Sequence, residues 1–139
     1  MEGYEVQQCL ATFKILVDTA EQPTKEYQRR CDSFGVPYER QNLDYGDYTY
    51  NFVLPDGTEL FASGVKAAGQ AVVERKMDLN ELSSCFTHDR KRFVAEFERV
   101  QEHSAKAYLL VEDANWENLI NGRYKTKFNP KSFFASITA

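Results

Sequence analysis

Three short apolar runs, each closing on charged residues, set the frame of this chain. Phe13-Lys14-Ile15-Leu16-Val17 closes on Asp18, Ala71-Val72-Val73 on Glu74-Arg75-Lys76, and Lys106-Ala107-Tyr108-Leu109-Leu110-Val111 on Glu112. Apolar, partly β-branched runs of this length are buried strands. Helical patterns separate them. Pro23 suits a first helical turn, Tyr27, Cys31 and Phe34 recur at helical spacing, and Gly35 is a stop. Leu79, Leu82, Phe86, Phe93, Phe97 and Val100 form a longer apolar stripe, broken near Thr87-His88-Asp89. Val36 to Leu43 and Tyr48 to Leu54 read as further strands. Asp44-Tyr45-Gly46-Asp47 lies between them as a turn, and Pro55-Asp56-Gly57-Thr58 follows as a hairpin turn. Ala62 to Gln70 is a loop or a looser continuation of that ribbon. Asn115 caps a short helix through Ile120, with Trp116 as a packing anchor, and Pro130 opens a last helix. The order predicts an α/β fold, a central mixed β-sheet flanked by helices.

Length and charge bound the function. The chain has 139 residues, enough for one domain that buries about 68% of its unfolded surface. No apolar run approaches the roughly 18 residues of a membrane span. Met1 is followed by Glu2, Glu5 and Gln7, so no signal peptide is read. Cys9, Cys31 and Cys85 are far apart and odd in number, which gives neither a disulfide frame nor a zinc pattern and fits a reducing cytoplasm. Net charge is −4, which speaks against a polybasic nucleic-acid binder. The charge is unevenly spread. Residues 1–85 carry 8 Lys/Arg against 14 Asp/Glu, residues 86–139 carry 9 against 7, and Arg123, Lys125, Lys127 and Lys131 run without an intervening acid. An acidic half beside a basic strip fits metal carboxylates next to a phosphate-binding surface; it also fits ordinary surface variation.

Chemistry in α/β proteins sits at strand ends, and Asp18, Glu21, Asp47 and Glu74 all fall at strand exits or turns. Glu74 and Lys76, two apart in a strand, project to the same face. An E-x-K pair is usually a solvated surface pair. Here apolar residues precede it, so the strand is interior, and an interior carboxylate needs a partner or a metal. Asp47 is the natural co-ligand. Such carboxylates hold a hard cation with open water positions, and a neighbouring lysine can orient the attacking water.

Ile15-Leu16-Val17-Asp18-Thr19-Ala20-Glu21, Tyr45-Gly46-Asp47-Tyr48 and Val73-Glu74-Arg75-Lys76 together resemble the nuclease domain of the XPF and Hef structure-specific endonucleases. The likeness continues through Arg92-Phe93, Tyr108 to Glu112 and Ser132-Phe133-Phe134, nearly the whole chain. It implies a restriction-endonuclease-like fold and a Mg²⁺- or Mn²⁺-dependent endonuclease cutting branched or flapped DNA. It implies Asp47 and Glu74 as main metal ligands, Asp18 and Glu21 in support (Glu21 through water), and Lys76 as the group that positions the nucleophile. Arg75 would hold a phosphate or the carboxylate cluster; its plainer role is a salt bridge on the sheet face. It also implies a homodimer through the late helices, here Asn129 to Ala139 with Phe133, Phe134 and Ile137 as apolar area. Two residues depart from the pattern: Ala20 where the family often has Arg, and Asn80 where it has an acid. Asp78 can cap the following helix instead.

For DNA contact the candidates are Arg90 and Arg92 in the Thr87 to Arg92 run, and Arg123, Lys125 and Lys127, which alternate with Tyr124 and Phe128. A solvated charge run or an edge segment explains the same residues. His88 and His103 have no carboxylate at ligand spacing. The chain reads as a single domain over 1–139. It is either cut short within its last helix or a compact stand-alone form from a phage or bacterium, and nuclear if eukaryotic. The alternatives to a nuclease are a catalytically silent DNA-binding or scaffolding relative and a domain acting on RNA.

Overall fold

The structure, a computed structural model, describes residues 1–61 and 70–138. Its elements in chain order are α1 (Gly3–Ala11), β1 (Lys14–Asp18), α2 (Lys25–Asp32), β2 (Tyr38–Gln41), β3 (Tyr48–Asn51), β4 (Ala71–Lys76), α3 (Leu79–Cys85), α4 (Arg90–Glu102), β5 (Lys106–Val111), α5 (Trp116–Ile120) and α6 (Pro130–Thr138). The strands form one sheet in the order β2-β1-β3-β4-β5. β1 pairs parallel with β2 and antiparallel with β3; β3 pairs antiparallel with β4, and β4 pairs parallel with β5. This is the expected mixed sheet. Each parallel pair is joined by helical crossovers, α2 for one and α3 with α4 for the other, as parallel strands require.

Helices cover both faces. On one, Val17 and Tyr48 pack with Tyr27 and Cys31 of α2. On the other, Leu79, Leu82, Leu119 and Phe133 form one core, and Tyr45, Val72 and Val100 another. Leu16 and Val17, adjacent in β1, are 2% and 0% exposed, so both faces of that strand are buried and its sequence reads as a continuous apolar run.

The structure differs from the sequence reading at several points. α1 was not expected; it has a capping box between Glu2 and Glu5 and buries only Cys9. α2 begins after Pro23, because Thr24 caps it by accepting from the Tyr27 N–H. Among the described residues the ribbon after β3 closes through a single isolated bridge, Val53 to Glu59. The reading of Ala62 to Gln70 falls, apart from Gln70, outside the described residues. Trp116 is no packing anchor: it is 57% exposed and meets Phe134 edge to face. Phe133 is not surface area for a partner. It is fully buried, with Phe86, Tyr124 and Phe128 around it.

Candidate active site

Strand direction brings the acidic residues to one end of the sheet. β1, β4 and β5 run the same way and β3 runs against them. The last residues of β1, β4 and β5 therefore meet the first of β3. Asp18 closes β1, Asp47 precedes β3, Glu74 to Lys76 finish β4, and Glu112 follows β5. Backbone bonds tie this end together: the Asp18 N–H donates to the Asp47 carbonyl at 2.8 Å, and the Asp47 N–H to the Val73 carbonyl at 2.8 Å. Gly46 makes the approach possible. Its φ is +76°, and a Cβ there would lie 3.0 Å from the Val72 Cβ, so both conformation and space favour glycine.

Asp47 is clamped on its side chain too, its Oδ2 accepting from the Arg75 N–H at 2.7 Å. Glu74 is 8% exposed. Its Oε1 accepts from Lys76 Nζ at 3.0 Å, while its Oε2 is buried with no hydrogen-bond partner among the described residues. Burial raises the Glu74 pKa, and the negative charges of Asp47 and Glu96 raise it further, against the pull of Lys76. Asp47 is raised as well, chiefly by burial, with the Arg75 N–H opposing and Glu21 and Glu96 adding to the rise. At Lys76 burial works against the charge, but the bond to Glu74 and its field prevail and raise the pKa. The ammonium also lies 5.6 Å from the centre of the Phe93 ring.

Crowded carboxylates with an unsatisfied buried oxygen suit a hard cation. Among the described residues no group of three or more His, Cys, Asp and Glu is gathered tightly enough to enclose a metal by itself. Asp47 and Glu74 with water in the remaining positions is a donor set of the kind Mg²⁺ takes. Asp18 has one oxygen engaged, Oδ1 accepting from the Leu43 N–H at 2.9 Å. Glu21 lines a cleft of about 910 Å³ that also contains Asp47 and Arg75. The Arg75 guanidinium is held by Glu112 through two bonds of 2.9 and 2.8 Å, a bidentate fork between β4 and the residue after β5.

The basic candidates lie elsewhere. Arg90 and Arg92 are exposed on the first turn of α4. Arg123, Lys125 and Lys127 are exposed on the segment joining α5 to α6. That segment is fastened to α3: the Lys125 N–H donates to Asn80 Oδ1, and the Ser83 and Thr126 hydroxyls bond at 2.8 Å. Asn80 therefore fixes a loop where the family pattern has an acid. Asp78 caps α3 by accepting from the Glu81 N–H.

Sequence reasoning missed three residues. Arg29 and Arg30 of α2 line the same cleft as Asp47, and Arg30 Nε donates to the Tyr48 hydroxyl at 3.0 Å. Glu96 accepts from the Gly46 N–H at 3.0 Å. Its signal was legible: it stands three residues after Phe93 and four before Val100, an acid inside the apolar stripe of α4.

A family model described as the ERCC4 domain matches residues 17–139 of this chain. No curated protein and no solved structure matches it significantly.

Proposed function

The chain belongs to the ERCC4-domain family, and from that membership we propose that it is a divalent-metal-dependent endonuclease hydrolysing phosphodiester bonds in branched or flapped DNA. Membership makes it a nuclease-type domain of the XPF kind that acts on DNA, with a restriction-endonuclease-like fold. The observation that carries the finer reading is Glu74. A buried carboxylate with one oxygen on Lys76 and the other without a partner among the described residues, in the field of Asp47, is costly to keep ionised unless a second cation meets the free oxygen.

In this reading Asp47 and Glu74 hold Mg²⁺ or Mn²⁺, with Asp18 and Glu21 supporting from β1 and the turn after it. Once bound, the cation neutralises these carboxylates and stabilises negative charge on a phosphodiester. The chain's own residues do the rest. The Arg75 N–H holds one oxygen of Asp47. Lys76, fixed by Glu74 and the Phe93 ring, orients the attacking water. Arg75 itself, forked on Glu112, keeps the ends of β4 and β5 together and its positive charge beside the cleft. Arg90, Arg92, Arg123, Lys125 and Lys127 take backbone phosphates away from the reacting bond. A homodimer would add phosphate contacts, its interface drawn from the exposed side of α5 and α6.

Cleavage of flap, fork, four-way and linear DNA, with Mg²⁺ or Mn²⁺ and with EDTA, is the direct test. Cutting that needs the cation and favours branched substrates is expected, with Mn²⁺ at least as good as Mg²⁺. Glu74→Gln keeps the shape and removes the charge, so it should lower cleavage by orders of magnitude and leave DNA binding equal or tighter. Lys76→Ala should stop cleavage yet retain cation binding. Undiminished cutting in EDTA, or by folded Glu74→Gln, rejects the reading. DNA bound but never cut marks a silent relative.

A further inference from the structure

Among the described residues, Glu96 is a helix-borne carboxylate whose charge acts on both Asp47 and Glu74, which come from the sheet end. α4 delivers it from the sheet face that Glu74 and Lys76 also point to, where Phe93 of the same helix meets the Lys76 ammonium, and its Oε1 receives the Gly46 N–H at 3.0 Å. That N–H belongs to the residue immediately before Asp47, in a turn with no room for a Cβ. The bond thus ties α4 to the turn that aims Asp47. It does not by itself explain a glutamate, because the amide oxygen of a glutamine accepts an N–H equally well. The charge is the unexplained part. It faces two carboxylates already unfavourably close, and it adds to the pKa rise of both. A third anion here is a burden to the cation-free protein. It is an advantage only when a cation is present, since its attraction for a divalent ion is twice that for a single charge. The groups around it leave little other use for it: among the described residues it forms no ion pair, and Lys76 is committed to Glu74.

We propose that Glu96 is a positioning residue of the cation site, its oxygen fixing the Gly46–Asp47 turn and its charge strengthening cation binding from outside the ligand set. This rests on the nuclease reading above and extends it to a helix that reading does not use. The two roles separate by substitution. Glu96→Gln keeps an acceptor for the Gly46 N–H and removes the charge; Glu96→Ala removes both.

The test is titration of the full chain with Mn²⁺ alone, without DNA, followed by calorimetry and by the rise in melting temperature. Glu96→Gln should melt as high as the unaltered chain in EDTA or higher, yet need about tenfold more Mn²⁺ for half-saturation. Glu96→Ala should show the same weakening and a lower melting temperature in EDTA. Cleavage should follow the same shift in Mn²⁺ requirement. Equal half-saturation for Glu96→Gln and the unaltered chain overturns the inference while leaving the nuclease reading in place. No Mn²⁺ response from the unaltered chain overturns both. Glu96→Gln carries the test alone if Glu96→Ala does not fold, because a purely structural role predicts no change in its Mn²⁺ affinity.

Discussion

Glu74 shows how a single buried side chain couples stability to pH. Its ordinary value is 4.5 and that of Asp47 is 3.8, and burial raises both in the folded chain. Above those ordinary values the unfolded chain has released protons that the folded chain still holds. Stability without metal must therefore fall as pH rises from the ordinary carboxylate range through the raised folded values. In EDTA, the melting temperature should drop by several degrees between about pH 5 and about pH 8, a change of roughly 1–2 kcal/mol at this size. Mn²⁺ should restore most of the loss at the upper end, where the carboxylates are free to bind it. Glu74→Gln should flatten the EDTA profile, since an amide has no proton to hold. Melting curves across this range check all three statements, and a profile that rises with pH contradicts the placement of these charges.

At the scale of elements, the strands were legible because both faces of β1 and β4 carry apolar residues, and the helix starts were legible where a side chain performs the cap. Asp78 and Asn115 accept the N–H groups of Glu81 and Asn118 as their sequence positions indicate. α1 was not legible: Val6, Cys9 and Leu10 stand at helical spacing, but the helix is short and only Cys9 is buried. Trp116 was misread for a different reason. Residue type says that a tryptophan favours burial, but whether anything covers it depends on how α5 meets α6. The Asp47–Glu74–Lys76 set was visible as strand-end chemistry; Glu96 left a mark as an acid inside the apolar stripe of α4, but its partner, the Gly46 N–H, lies 50 residues away in the chain and only the fold pairs them. The segment between α5 and α6 carries its own prediction. Asn80 and Ser83 hold its backbone and Thr126, so Arg123, Lys125 and Lys127 point outward from an anchored strip. Replacing Lys125 and Lys127 together by alanine should weaken DNA binding and lower the slope of log affinity against log salt by up to about 2. The loss should appear in KM rather than kcat, because in this reading the two lysines hold backbone phosphates and take no part at the reacting bond. An unchanged salt slope in a filter-binding or anisotropy titration removes this strip from the DNA interface.

The whole molecule has a net charge of −4 and must still hold a polyanion. One copy offers a short basic strip and a cleft in which Arg29, Arg30 and Arg75 stand among Glu21, Asp47 and Glu112. Phosphate contacts set both affinity and its salt dependence, so doubling the strip by pairing two copies is the economical solution. The surface for it is not Phe133, which is core, but the cluster beside it. Trp116, Ile120 and Phe134 are 57%, 56% and 40% exposed, with the Trp116 and Phe134 rings 5.8 Å apart. Exposed aromatic residues grouped in this way suit the centre of a protein interface, and Lys131 lies beside Ile120 and Phe134 to form its rim. We expect a homodimer through α5 and α6. Light scattering at high micromolar concentration should give twice the mass of the chain, and Trp116→Ala with Phe134→Ala should give a monomer that still melts cooperatively, since neither side chain belongs to the buried core. The monomeric variant should then bind DNA with about half the salt slope of the dimer. A chain that stays monomeric at that concentration, alone and on DNA, rejects the pairing and leaves the cleft and strip of one copy to hold the substrate.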